Sequence, residues 1–268
     1  MGITLFKKFK KENLDINRIT LDRRAIYSGT TVKLSPKLVT ETGLYKKEEL
    51  EEQIKSFLVT MIENFPTFPI ERFKENFTDL NINNLALTDN KSVYKHDLKN
   101  KSINFLDEDD LFHEFLHFAS DKIHTGKVMC GFEYSNEKYR KVGRGLNEGY
   151  TQLLCSRYFP TLKSMSCGLY MIHISEKVEE IFGREKMGDL YFNGNLFDII
   201  NELTKLSSEE EAKQFIFDLD KLYDIYMLAA KTDTFDKNTE LMDKLLNKLR
   251  QYIDKCMTEK NNNKKSVM

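Results

Sequence analysis

No stretch of this chain approaches 18 continuous apolar residues, so no segment reads as a transmembrane helix. Charge of one sign is not in excess either. Lys plus Arg number 41 against 42 Asp plus Glu, which gives no bulk attraction for nucleic acid. The four cysteines, Cys130, Cys155, Cys167 and Cys256, are scattered without C-x-x-C spacing. They read as small hydrophobes in a reducing compartment, and a cytoplasmic location is expected. The segment from Met1 to Lys11 lacks the apolar stretch of a secretion signal, and Phe6 stands where a myristoylation pattern needs Ser or Thr. What the chain does have is apolar mass. Forty per cent of its 268 residues are apolar, with 19 Phe and 12 Tyr, enough for one large core or two small ones.

The informative segment is His113-Glu114-Phe115-Leu116-His117. An α-helix turns every 3.6 residues or so, and positions i and i+4 therefore share a face. The two imidazoles can close on one cation, each nitrogen about 2.0–2.1 Å from a zinc ion. Glu114 flanks such a metal without ligating it, where a general base takes a proton from water held by the metal. Asp107 before the motif is an expected N-cap, and Glu108, Asp109 and Asp110 fall in the first turn, where the helix dipole favours acids. Leu111, Phe112, Phe115, Leu116, Phe118 and Ala119 surround the motif with apolar surface, and a helix so apolar is a buried one.

A catalytic zinc takes three protein ligands and leaves one position open. Asp121, His124, Glu133, Glu137 and Glu148 are the candidates within reach in the sequence. The metzincin spacing fails, because Ser120 and Ile123 stand where it needs Gly and His, and His124 comes one residue late. Glu148 lies in Asn147-Glu148-Gly149-Tyr150-Thr151, near the start of a second expected helix. Leu146, Tyr150, Leu153, Leu154 and Tyr158 form that helix's apolar stripe, and Glu148 falls off it.

His-Glu-x-x-His followed some thirty residues later by Asn-Glu-x-x-Thr resembles the gluzincins, the thermolysin-like zinc metallopeptidases. The resemblance covers roughly residues 83–159. It implies His113, His117 and Glu148 as zinc ligands, Glu114 as general base, and a peptide or protein as substrate. One departure stands out. The family places an Asp four residues after the ligand Glu, to orient the first histidine, and this chain has Gln152. A Gln carbonyl can accept from an imidazole N–H but makes the ligand less basic than a carboxylate would.

Along the chain, residues 47–64 carry a helical stripe that Pro66 and Pro69 end, and a shorter amphipathic stretch follows around Phe73 and Phe77. Leu85 to Thr88 is a candidate strand, and residues 92–96 and 102–105 flank a hairpin turn. A small sheet ahead of the H-E-x-x-H helix is the zincin order. One strand of that hairpin is expected to offer free backbone groups to an extended peptide. Residues 19–39 are β-leaning, and the role of residues 1–46 is open. His124 to Gly145 reads as a long loop with a strand at 128–134. After Pro160 the pattern is helical, with stripes at 169–178, 196–203, 212–226 and 241–253 and a frayed polar tail at 260–265. The expected fold is α+β and zincin-like, with a metal-binding half at 1–160 and a helical half at 161–268. Tyr170 and His173 are first candidates to stabilise an oxyanion, followed by Tyr150, Tyr158 and His96. Two other readings stand beside the peptidase: a zinc-binding zincin-like scaffold with little turnover that binds a partner, and a helical interaction protein whose motif is accidental. Oligomeric state and substrate identity have no signature in the sequence.

Overall fold

The computed structural model describes residues 10–13, 37–40, 47–77, 80–84, 93–96, 101–105, 108–124, 127–135, 141–159 and 168–266. The fold is α+β. Its contacts divide the chain into two compact units, Met1–Ala119 and Ser120–Met268.

In the first unit, strands β1 (Lys10–Asn13), β2 (Lys37–Thr40), β3 (Leu80–Asn84), β4 (Val93–His96) and β5 (Lys101–Phe105) form one sheet in the order β1-β2-β3-β5-β4. The sheet is mixed: β2, β3 and β5 run parallel, with Ile82 opposite Ile103, while β1 and β4 pair antiparallel to their neighbours. The expected hairpin is therefore present, with Tyr94 opposite Ile103. Strand β4 is its outer member and pairs only with β5 among the described residues. The candidate strand at 85–88 lies outside the described residues, as do Asp107 and most of 19–39.

Helices α1 (Lys47–Asn64), α2 (Ile70–Phe77) and α3 (Glu108–Ser120) supply this unit's core. Ile54, Phe57, Leu58 and Met61 are wholly buried on one face of α1, as their 3.6-residue spacing requires. Pro66 stops that helix, and the Pro69 carbonyl opens the next by accepting from Phe73 N–H at 2.9 Å. Phe57, Phe73, Phe77, Phe115 and Phe118 then interlock, with centroid separations of 5.0 Å for Phe73–Phe118 and 5.4 Å for Phe57–Phe115. This aromatic cluster seats one face of α3.

The second unit opens with an antiparallel sheet, β6 (Asp121–His124), β7 (Lys127–Cys130), β8 (Glu133–Ser135) and β9 (Lys141–Val142), in that order. The expected loop between the motif helices is thus largely sheet, and the single strand expected at 128–134 is two strands. Gly131, at φ 53°, makes the turn that divides them. Among the described residues six helices follow: α4 (Arg144–Tyr158), α5 (Leu169–Phe182), α6 (Arg184–Phe192), α7 (Leu196–Thr204), α8 (Glu209–Thr232) and α9 (Phe235–Ser266). Helix α4, grouped in the sequence reading with the H-E-x-x-H helix, packs on α5 and α8. Its residues Tyr150 and Leu154 are fully buried, and the Tyr150 ring lies 5.8 Å from Phe132 and 5.2 Å from Tyr191. Ser208 and Glu211 close a capping box at the start of α8.

Two helical features depart from expectation. Helix α6 has no clean stripe, yet it buries Met187, Tyr191 and Phe192. Residues 260–265 are not a frayed tail but part of α9, and Lys260 Nζ donates to the Glu180 carbonyl at the end of α5 at 2.9 Å. Among the described residues no helix is long and apolar enough to cross a membrane.

Candidate metal centre

Helix α3 presents two faces of different chemistry. Leu111, Phe115 and Phe118 face the phenylalanine cluster and are fully buried. At about 100° per residue, His113 and His117 each point about 160° away from Phe115, about 140° and 100° away from Phe118, and about 40° from each other. Both histidines are 6% exposed and Glu114 is 5% exposed. Burying three such groups is costly unless each has a polar or metal partner. The Nε2 atoms of His113 and His117 stand 3.0 Å apart, with the rings inclined at 72°. Two nitrogens bound to one tetrahedral zinc at about 2.05 Å would be about 3.3 Å apart. The pair is therefore within a few tenths of an ångström of chelating geometry.

Helix α4 holds Asn147, Glu148, Thr151 and Gln152 on one side. Asn147 accepts from Phe132 N–H at 3.1 Å through its side-chain oxygen, tying α4 to the turn between β7 and β8. Thr151 Oγ1 bonds the Asn147 carbonyl and the Tyr191 hydroxyl, each at 2.7 Å. Those two polar residues of the Asn-Glu-x-x-Thr run thus have local structural roles. Glu148 lies between them and is half-buried. Ligand atoms of His113, His117 and Glu148 all lie within 4.8 Å of one another. Two imidazoles and a carboxylate make a donor set suited to a first-row divalent ion, and this group can hold a metal ion.

The other acids considered do not join the group. Glu133 pairs with Lys141 at 2.5 Å, and Asp121 is fully buried at the start of β6. Glu137 and the side chain of His124 lie outside the described residues. Of the oxyanion candidates, Tyr150 is committed elsewhere: its hydroxyl donates to Glu179 at 3.1 Å. Burial, and after it the Glu179 carboxylate, pushes the Tyr150 phenol well above its ordinary pKa. Tyr170 and His173 are both exposed on α5, Tyr158 is half-buried, and the side chain of His96 lies outside the described residues.

The sequence reading missed Asp220 and Tyr191, which hold α4 in place. Asp220 sits on α8 and takes two backbone amides at the N-terminus of α4. Nothing local marks it, because its partners are 75 and 77 residues away. We compared the chain with protein-family models, with curated proteins and with solved structures, and it matches none of them.

Proposed function

We propose that this chain is a zinc-dependent metallopeptidase of gluzincin type. The observation that carries the reading is the convergence of His113, His117 and Glu148, with the buried Glu114 next in sequence to the first ligand. Those three side chains would hold the ion. When bound, zinc supplies Lewis acidity, polarising a carbonyl and bringing the pKa of water from about 15.7 to about 7.

Glu114 does the proton work. Its carboxylate accepts a proton from the attacking water as the water oxygen bonds to the carbonyl carbon. It then delivers that proton to the amide nitrogen as the C–N bond breaks, so the products are a carboxylic acid and an amine, which settle as carboxylate and ammonium once the acid's proton passes to the amine. The substrate is a peptide or protein. The outer edge of β4 offers the backbone groups to which an extended peptide could add as a further strand. Cys130, Cys155 and Cys256 are free thiols, which fits a reducing, cytoplasmic setting.

The test is to load the protein with zinc and assay a diverse peptide library with wild type and Glu114→Gln. The variant should keep its zinc and lose about 10²–10⁴ in kcat. Cleavage at the wild-type rate by Glu114→Gln would remove the mechanism.

A second reading has its own support. Gln152 replaces the family's orienting Asp, and Tyr150 is taken up by Glu179. Both favour a zinc-holding scaffold that binds a partner with little turnover. One cleaved library peptide, lost again in Glu114→Gln, decides for the enzyme.

A further inference from the structure

Helix α4 carries the carboxylate of the proposed ligand set, yet its own sequence starts it badly. The N-cap is Gly143, held at φ 84° and without a side chain to accept from the first-turn amides. A partner distant in sequence supplies what is missing. Gly143 N–H donates to Asp220 Oδ2 at 2.7 Å, and Gly145 N–H donates to Asp220 Oδ1 at 2.8 Å. One carboxylate thus satisfies two orphan donors at the positive end of the helix. The neighbours of Asp220 on α8 complete the hold. Asp224 pairs with Arg144 at 3.1 Å, and the Arg144 guanidinium lies 5.5 Å from the centre of the Tyr223 ring. Gly145 sits so close to α8 that a β-carbon there would come within 2.6 Å of the Leu219 carbonyl oxygen. Each of these contacts falls on residues 143–145, and Glu148 follows within one helical turn.

We propose that Asp220 is a positioning residue of the metal centre: by fixing the amides of Gly143 and Gly145 it sets the rotation and height of α4, and with them the place of the Glu148 carboxylate. This inference rests on Glu148 being a metal ligand. A helix transmits displacement as a rigid rod. A slip of about 20° about its axis carries a carboxylate at a radius of about 5–6 Å through about 2 Å. That distance equals a whole zinc–oxygen bond of about 2.0–2.2 Å. The carboxylate form is the one that does this, since both oxygens must accept. Burial pushes the Asp220 carboxyl up to about 6 while the two amides hold it down, which leaves it mostly ionised near neutrality.

A residue that merely stabilised the second unit would give the same contacts, so the test must separate the two roles. Zinc affinity is measured on the full chain by competition with a chromophoric chelator, for wild type, Asp220→Asn, Glu148→Ala and the double variant. Urea unfolding of each metal-free protein is followed in parallel. Partners of metal ligands cost about 10- to 100-fold in affinity when removed. Asp220→Asn should fall at the low end, about tenfold weaker. In the Glu148→Ala background the same change should cost less than about twofold, because the ligand through which Asp220 acts is gone. Equal losses in both backgrounds, or none in either, would overturn the proposal while leaving the metal centre standing. If Asp220→Asn does not fold, Asp220→Glu replaces it. That variant keeps the charge and both acceptors, shifts them by one methylene, and is held to the same Glu148-dependent loss. Wild type without zinc affinity, or Glu148→Ala binding as tightly as wild type, sinks the metal reading itself and this inference with it.

Discussion

Gly149 rests against Met171 so closely that a β-carbon on it would stand 2.5 Å from the Met171 carbonyl oxygen, and equally close to Ser175 Oγ. The helices α4 and α5 are in backbone contact at this point. Alanine is a better helix former than glycine by about 1 kcal/mol, so Gly149→Ala tests which effect wins. A helix carbonyl cannot swing aside as a side chain can, and overpacking of this kind costs about 1–3 kcal/mol. Gly149→Ala should be destabilising on balance, read as a lower urea midpoint at unchanged slope.

Metal removal gives a second prediction. Zinc that binds only the folded chain stabilises it by mass action, about 2.7 kcal/mol at a hundred times the dissociation constant. Added zinc should therefore raise the unfolding midpoint of wild type, and a chelator should reverse the gain. His117→Ala removes one of two imidazoles whose Nε2 atoms are 3.0 Å apart. Its midpoint should not respond at the same zinc concentration, as thermal scans with and without the ion would show.

Asp220 sets a pH dependence. Its folded pKa of about 6, raised by burial against the amides of Gly145 and Gly143, compares with about 3.9 in an unfolded chain. Asp224 raises it further and Arg144 lowers it. Between those values the folded state holds a proton that the unfolded state has lost. The contribution is thus fully present below about pH 4 and is lost as pH rises through about 6, by up to about 3 kcal/mol. Asp220→Asn should flatten this part of the profile. Unfolding free energies measured at intervals from pH 4 to 7 for both proteins would show the difference, and identical slopes would exclude it.

Among the described residues Phe73 touches Phe57, Phe68, Phe77 and Phe118, at centroid separations from 5.0 to 6.1 Å. It is fully buried. Phe73→Ala should cost about 3–5 kcal/mol, the range for a phenylalanine removed from a packed core. The loss belongs to the first unit, so tryptic cleavage after Lys55 or Arg72 should accelerate while sites in α8 and α9 keep their protection.

What could be read in the sequence was what is local. The imidazole pair needed only the helical repeat, and the acids ahead of Leu111 needed only the helix dipole. The face of α1 at Ile54, Phe57 and Met61 follows from spacing alone, and the hairpin 93–105 from two short runs around a polar turn. The order β1-β2-β3-β5-β4 was not legible, because parallel pairing of β2 with β3 joins segments separated by two helices. The short strands β6 to β9 were hidden by their polarity: Lys122, Lys127, Glu133 and Lys141 dilute any alternation. Helix α6 was missed because Arg184 to Phe192 buries residues on several sides, which erases the periodic signal. Asp220 was beyond reach for a simpler reason. One acid among the several on a long helix looks like the others, Asp218 and Asp224 included, until its distant amides are known.

The glycine-rich start of α4 also bears on the order in which the molecule assembles. A fifteen-residue segment with glycines at 145 and 149 and no N-cap side chain has little tendency to coil by itself. The carboxylate that caps its first turn lies on α8, 75 and 77 residues further along the chain from the amides it accepts from. A chain made only as far as α7 carries His113, His117 and Glu148 without the carboxylate that caps the helix bearing the third of them.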